Sequence, residues 1–264
     1  MNKPKISIIT ATHYRPDLLA RCIKSVQSQT MADYEHIIFS DHCPKAAQVY
    51  EYFKDDKRIR FFENPKEHAP NHGAVAHNFG INVANSEFIC YVGDDNIVLP
   101  NHTEHMYNGL LEAQKHDIHV VYTRCHFAML SKNAENTTIQ ILKRDINKEL
   151  YNLDVNDRVF DRWRNDGGKQ PDMARLGHTR EIAIRVGGWK TWKELGYPNE
   201  DGYFMGKLDE SGKQLRLNKL FTCVYYARKS CIAEDSKYRN KVLGLKKDQV
   251  FVYPELLKQQ RIIE

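Results

Sequence analysis

Apolar positions in the first half of the chain fall into two rhythms. Short unbroken runs rich in β-branched and aromatic residues, Ile6 to Ala11, Ile37 to Phe39, Ile59 to Phe62, Phe88 to Gly93 and Val120 to Tyr122, read as buried strands. Segments of helical period lie between them. After Pro16, which suits the first turn of a helix, Leu18, Leu19, Cys22, Ile23 and Val26 recur at a spacing that gathers them on one face. Further helices are expected around Ala46 to Phe53, from about Gly73 to Ala84 with Val75, Phe79 and Val83 four apart, and from His102 to His116. Pro65 and Pro70 break the segment before Gly73. Strands alternating with helices imply an α/β fold with a mostly parallel central sheet flanked by helices. In such sheets ligands bind at the carboxyl ends of the strands, near the reversal of strand order. Thr10 to Arg15, Asp41 and Asp94-Asp95 all fall at strand ends, so three polar clusters distant in sequence are expected to meet in one cleft.

Asp94 and Asp95 sit at the end of the apolar run Phe88 to Gly93. Two carboxylates where a buried strand surfaces can hold a hard divalent cation, and the cation a diphosphate; Asp-Asp-Asn is equally good turn chemistry. A G-x-G-x-x-G turn after the first strand is absent, as is any G-x-x-x-x-G-K-[ST] loop. Asp166-Gly-Gly-Lys169 has neither the spacing nor the preceding strand. Phosphates would then be handled by metal and side chains rather than by a glycine cradle.

Composition narrows the class. The 264 residues are 41% hydrophobic and 28% charged with a net charge of +5, and the basic residues are not interleaved with aromatics as a nucleic-acid groove requires, so no nucleic-acid partner is expected. No stretch approaches the roughly 18 apolar residues of a membrane span, and Met-Asn-Lys-Pro-Lys leads straight into a strand-like run. A cytoplasmic location is expected. Cys22, Cys43, Cys90, Cys125, Cys223 and Cys231 form no C-x-x-C pair, which implies neither a zinc site nor a disulfide framework.

Ile8-Ile-Thr-Ala-Thr-His-Tyr-Arg-Pro16, Ser25 to Thr30, Ser40-Asp41, Asn78 to Ile81 and Gly93-Asp-Asp-Asn96 stand in the order and spacing of a known family. The chain resembles the inverting family 2 glycosyltransferases with the GT-A (Rossmann-like) fold, closely over the first half and more weakly at Gly187-Gly-Trp189 and Asn199-Glu-Asp201. Around Asp94 to Ile97 it is especially similar to the spore-coat polysaccharide members. The resemblance implies transfer of a sugar from a nucleotide-sugar donor, with a UDP-sugar expected, to an acceptor hydroxyl. It also implies inversion and a Mn2+ or Mg2+ cofactor. Thr10, Thr12 and Arg15 would receive base and ribose, Asp41 would accept hydrogen bonds from the base, Asp95 would bind the metal, and Asp94 would serve ribose or metal. Asn78 falls in the same donor set. Gly93 and Ser40 each replace an acid usual in the family, and His77 stands where arginine is common; a neutral imidazole is the weaker phosphate partner.

Transfer also needs a group to take the acceptor's proton, usually a carboxylate. Asn199-Glu-Asp201 is the candidate; acids also favour the first turn of a helix for structural reasons, and on the residues alone both readings stand. Under the resemblance Asp201 is the general base and Glu200 an orienting group, the reverse assignment remaining open. His178, in Leu176-Gly-His-Thr-Arg180, resembles the segment flooring the sugar site, against the alternative of a hydrogen-bonded structural histidine. A zinc cluster of His68, His72 and His77 is disfavoured because Pro70 denies the first two a common helical face.

One catalytic domain is expected over residues 1–235, with a nucleotide-binding half, 1–125, and a smaller acceptor-side half, 126–235. The polar stretch Ser131 to Gln170 lacks a sustained period and is read as an acceptor-side loop able to close over the donor, or as a plain surface insertion. Residues 236–264 form a basic amphipathic tail suited to a peripheral membrane or homodimer contact, or to docking on its own domain. The acceptor would be a saccharide, free, lipid-linked or protein-linked. Two rivals remain: an inactive nucleotide-sugar-binding scaffold, and a nucleotidyltransferase. The second is expected to carry glycine after the first strand, and Thr10 to Pro16 has none.

Overall fold

Residues Ile6–Thr12 form strand β1, whose branched side chains are buried on both faces, as a strand covered on each side requires. The computed structural model describes residues 3–13, 15–64, 73–129, 153–156, 173–196 and 199–227. Parallel partners flank β1: β2 (Tyr34–Asp41) on one side and β4 (Phe88–Tyr91) on the other, with β3 (Ile59–Asn64) beyond β2. The chain thus runs outward from β1 to β3, then crosses back to lay β4 against β1. That reversal is the switch point at which sheets of this kind open a crevice.

Beyond β4 the order changes character. Strand β8 (Leu176–Thr179) enters antiparallel between β4 and β6 (Val120–Met129), and the long β9 (Gln214–Ala227) runs parallel to β6. On β9, Gln214 to Leu217 pair with β7 (Leu153–Asn156), and Cys223 and Val224 with β5 (Ile97–Val98). Among the described residues the sheet has nine strands in the order β3-β2-β1-β4-β8-β6-β9-β5, β7 lying off this path. Strand β7 falls inside the polar stretch Ser131 to Gln170, which was expected to lack regular structure. The rest of that stretch, like the tail from residue 236 on and His68 and His72, lies outside the described residues.

Helices α1 (Pro16–Gln27), α2 (Pro44–Glu51) and α4 (His102–Gln114) pack on one face. The opposite face carries α3 (Ala74–Val83), α5 (Arg180–Arg185) and α7 (Glu200–Glu210), with the single turn α6 (Trp192–Leu195) beside them. The α1 face is the expected one: Leu19, Cys22, Ile23 and Val26 are buried. In α3 it is not. Val75 is exposed, while Ala74, Ala76, His77, Gly80 and Ile81 turn inward. Gly80 explains the difference, because a Cβ there would lie 2.6 Å from Ile9 Cγ2, so the helix approaches the sheet through its smallest residues. Phe79 instead packs against Phe39 and Phe62. No helix among the described residues is long and apolar enough to cross a membrane.

Candidate functional site

At the switch point the end of β4 becomes a tight turn, with the Asn96 amide donating to the Gly93 carbonyl at 2.9 Å. A Cβ on Gly93 would sit 2.9 Å from Asp95 Oδ1 and 3.0 Å from Asn96 Nδ2, so glycine is what leaves the Asp95 and Asn96 side chains room. Asp94 is buried and Asp95 half-buried. The Thr12 hydroxyl donates to Asp94 Oδ2 at 2.8 Å. Arg15 Nη2 lies 3.0 Å from Asp94 Oδ1, and its Nη1 lies 2.9 Å from Asp95 Oδ2. One guanidinium from the residue preceding α1 therefore holds both carboxylates from the end of β4. Arg21, on α1, donates from Nη2 to the Asp95 carbonyl at 2.7 Å and fixes the turn from behind. Removing a carboxylate such as Asp94 from water costs several kcal/mol, on the order of what a well-formed ion pair with added hydrogen bonds can offset. Thr12 and Arg15 supply that compensation.

Asp41 approaches the same loop from the other side. The His13 ring donates from Nδ1 to the Asp41 carbonyl at 2.9 Å, and the Asp41 carboxylate accepts from Asn64 Nδ2 at 2.9 Å. Asp41, Thr12, Arg15, Asp94 and Asp95 thus surround the single connection from β1 to α1. Thr10 lies deeper. Its hydroxyl donates to the Val92 carbonyl at 2.8 Å and meets His36 Nε2 at 2.9 Å inside the core, which commits it to joining the ends of β1 and β4. Ser40 is likewise buried, its hydroxyl 3.4 Å from the Cys43 carbonyl.

On the opposite face, around Tyr91, the buried histidines are neutral. His178, opposite Ile89 in the register, donates from Nδ1 to the Thr179 carbonyl at 2.9 Å, which leaves Nε2 to accept from Tyr91 Oη at 2.8 Å. Tyr91 Oη in turn accepts from Trp189 Nε1 at 3.1 Å. Burial lowers the His178 pKa to about 4 and that of His77 to about 3, so both rings are uncharged at neutral pH. His77 lies between Tyr91 and Trp189, and its Nδ1 has no hydrogen-bond partner among the described residues. Asn78 grips the Trp189 backbone twice, donating to its carbonyl at 2.8 Å and accepting from its amide at 2.9 Å. Gly188, at φ +66°, belongs to this grip: a Cβ on it would fall 2.6 Å from Asn78 Oδ1.

Trp189 carries the link to the acids of α7. Its ring stacks on Phe204 at 4.4 Å, and Phe204 also meets Tyr91 and His178 edge-on. Phe204 is one turn along α7 from Glu200 and Asp201, so this aromatic group anchors the helix that bears them to the end of β4. The buried Glu200 accepts a hydrogen bond from Trp192 Nε1, and burial raises its pKa; Asp201 is half-buried beside it. Tyr91, Trp189, Trp192, Phe204 and Arg21 were absent from the sequence-derived site. Gly187-Gly-Trp189 was the one signal pointing to any of them.

Residues 7–165, more than half of the chain, match the family described as "Glycosyl transferase family 2". The chain belongs to glycosyltransferase family 2. Among relatives of this family 2 chain, a GalNAc(5)-diNAcBac-PP-undecaprenol beta-1,3-glucosyltransferase of Campylobacter jejuni is 35% identical over 99 residues, 36% of this chain and 31% of the relative. The poly(ribitol-phosphate) beta-N-acetylglucosaminyltransferase TarP of Staphylococcus aureus is 30% identical over 106 residues, 39% of this chain and 32% of the relative. An uncharacterized glycosyltransferase of Methanocaldococcus jannaschii is 31% identical over 131 residues, 48% of this chain and 43% of the relative. The matches thus span less than half the length of each of these relatives.

Solved structures agree on the fold, which is GT-A. The S. aureus TarS fragment 1-349 in complex with UDP-GlcNAc superposes with a TM-score of 0.62 at 13% identity, covering 84% of this chain and 58% of that one. A mannosyltransferase from Pyrobaculum calidifontis in complex with GDP-Man and Mn2+ gives 0.57 at 12% identity, covering 87% and 59%.

The donor set at the switch point suits a hard cation. Among the described residues no group of three or more His, Cys, Asp or Glu is gathered to cage a metal. Mg2+ and Mn2+ do not require one, since such ions sit on one or two carboxylates and complete their shell with water and substrate phosphates. The Asp95 side chain is 15% exposed against 1% for Asp94, so Asp95 is the one within reach of an ion arriving from solvent.

Proposed function

We propose that this family 2 glycosyltransferase moves a sugar from a nucleoside-diphosphate sugar, with UDP-sugars the first donors to test, to an acceptor hydroxyl with inversion. The observation that carries the reading is the pair Asp94-Asp95 at the β1–β4 switch point, held together by Thr12 and Arg15. The bound UDP-GlcNAc and GDP-Man of the two solved neighbours support a nucleotide-sugar donor, and the Mn2+ of the second supports the cation. A Mn2+ or Mg2+ ion held by Asp95, backed by Asp94, would neutralise the charge that builds on the departing diphosphate.

The remaining work falls to side chains. Asp41 and the loop from Thr12 to Arg15 receive the nucleoside, while Thr10 and Asn78 act by holding that loop and Trp189 in place. His77 and His178, being neutral and buried, shape the wall behind the donor rather than bind its phosphates. Asp201 takes the proton from the acceptor hydroxyl as that oxygen attacks the anomeric carbon and the sugar–phosphate bond breaks. Glu200, engaged by Trp192, orients the turn that presents Asp201. The acceptor is a saccharide, free or linked to lipid or protein. The undecaprenol-linked substrate in the name of the C. jejuni relative makes a lipid-linked glycan the first to try.

Release of nucleoside diphosphate from UDP- and GDP-sugars, with and without acceptor, tests the reading. Turnover with any donor supports a transferase. Metal-dependent nucleotide binding with no release from any donor would instead identify a binding scaffold.

A further inference from the structure

Arg15 stands where two ligands would have to meet. Its two terminal nitrogens contact one oxygen from each acid, 3.0 Å to Asp94 Oδ1 and 2.9 Å to Asp95 Oδ2, so the guanidinium spans the gap between the carboxylates. A dication held by Asp95, with Asp94 behind it, would meet that positive charge at the same carboxylates. Both cannot hold the pair together. Arg15 is also built to move away: its side chain is 39% exposed, and it sits just before Pro16, at the end of the β1 loop rather than inside α1. Asp94 has a second partner on its other oxygen, the Thr12 hydroxyl at Oδ2, which does not compete with Arg15 at Oδ1. A diphosphate offers the displaced fork the planar pairs of anionic oxygens that guanidinium groups grip best.

We propose, on the metal–diphosphate reading given above, that Arg15 is an exchangeable counter-ion: it pairs with Asp94 and Asp95, and passes to the diphosphate when a cation takes the carboxylates. Cation and nucleotide are then coupled through one side chain. The cation alone competes with Arg15 and binds weakly. Nucleotide arriving with it provides the new partner, so the two bind cooperatively, and by reciprocity each strengthens the other by the same factor. A permanent structural role for Arg15 makes the opposite forecast, since its loss would then loosen the acid pair and weaken the cation site.

Mn2+ binding to the intact chain, followed by the paramagnetic signal of the free ion, separates the two. The probes are Mn2+ alone and Mn2+ with UDP or GDP. For the wild type, nucleotide is expected to tighten Mn2+ at least about tenfold, within the usual range of coupling between sites. Arg15→Gln is expected to bind Mn2+ alone several-fold more tightly than wild type and to lose most of the nucleotide-driven gain. Arg15→Lys, a point charge that cannot fork across both acids, should fall between them and serves if the first variant does not fold. Mn2+ alone binding no more tightly, or less tightly, to Arg15→Gln or Arg15→Lys would overturn the exchange while leaving the cation site standing. Failure of wild type to hold Mn2+ even with either nucleotide would overturn both it and the cation reading beneath it.

Discussion

Where β4 ends, one face of the sheet carries the paired carboxylates Asp94 and Asp95, and the other carries a group of neutral rings around Tyr91. Asp94 and Asp95 are matched by Arg15 and Thr12, within a segment that is parallel and in sequence order. Tyr91, His178 and Trp189 are hydrogen-bonded to one another and to backbone, with the His77 ring packed against Tyr91 and Trp189, around an antiparallel strand inserted from far along the chain. The difference follows from the work each is proposed to do. A donor carrying a diphosphate needs charge that can be rearranged, whereas the helix bearing Glu200 and Asp201 needs a fixed and uncharged support.

Substitutions that remove a carboxylate should divide along this line. Asp201→Asn is expected to lower turnover by about 10²- to 10⁴-fold with nucleotide binding unchanged, the usual loss for a missing general base. Asp95→Ala should depress turnover comparably and weaken nucleotide binding as well. Steady-state kinetics alongside calorimetric titration with the nucleoside diphosphate reads both, and equal, small effects would erase the distinction between the two sides.

Trp189→Ala attacks the neutral side alone. Loss of this buried ring should cost about 3–5 kcal/mol in denaturant unfolding, as for other large-to-small core changes. Donor affinity in the surviving folded fraction should fall less than turnover, because the ring supports α7 rather than the acid pair.

Acid titration probes the same region more gently. With folded-state values lowered to about 3 for His77 and about 4 for His178, the unfolded chain takes up protons first as pH falls through about 6.5. Stability is therefore retained above that pH and lost progressively toward the folded values, by up to about 1.4 kcal/mol per unit for each ring. Melting temperature followed from pH 7 to pH 5 should fall less steeply in His77→Asn than in wild type. An unchanged slope would mean that His77 does not stay neutral in the fold. The smallest effect is expected at Gly93→Ala, whose Cβ crowds Asp95 Oδ1 at 2.9 Å: a few-fold weaker cation binding, read by Mn2+ titration, with little change in stability.

Legibility in the sequence follows the same division. Strands β1 to β4, helix α1 and the placement of Asp41 and Asp94-Asp95 at strand ends were readable because each rests on local periodicity and a parallel, consecutive order. The inward face of α3 was not, since Ala74, Ala76 and Gly80 do the close packing and periodicity favours the larger Val75. Nor was β8: four residues containing a glycine and a histidine give no strand signal, and their partners Phe88 to Cys90 lie far away in the chain. Thr10 and Thr12 share a face of β1 and look alike in sequence, but only the one at the strand's end reaches Asp94. Arg15 could be placed on the right loop, yet its double contact with the acids depends on a turn in β4 about eighty residues on.

The most direct measurement is the change in melting temperature on adding UDP or GDP, with and without Mn2+, to wild type and to Asp95→Ala. A ligand that binds only the folded chain raises its melting point in step with occupancy. Wild type is expected to show a shift that requires Mn2+ and nucleotide together, and Asp95→Ala to show none. Equal shifts in the two proteins, or a nucleotide effect indifferent to the cation, would contradict the placing of a cation-held diphosphate at the end of β4.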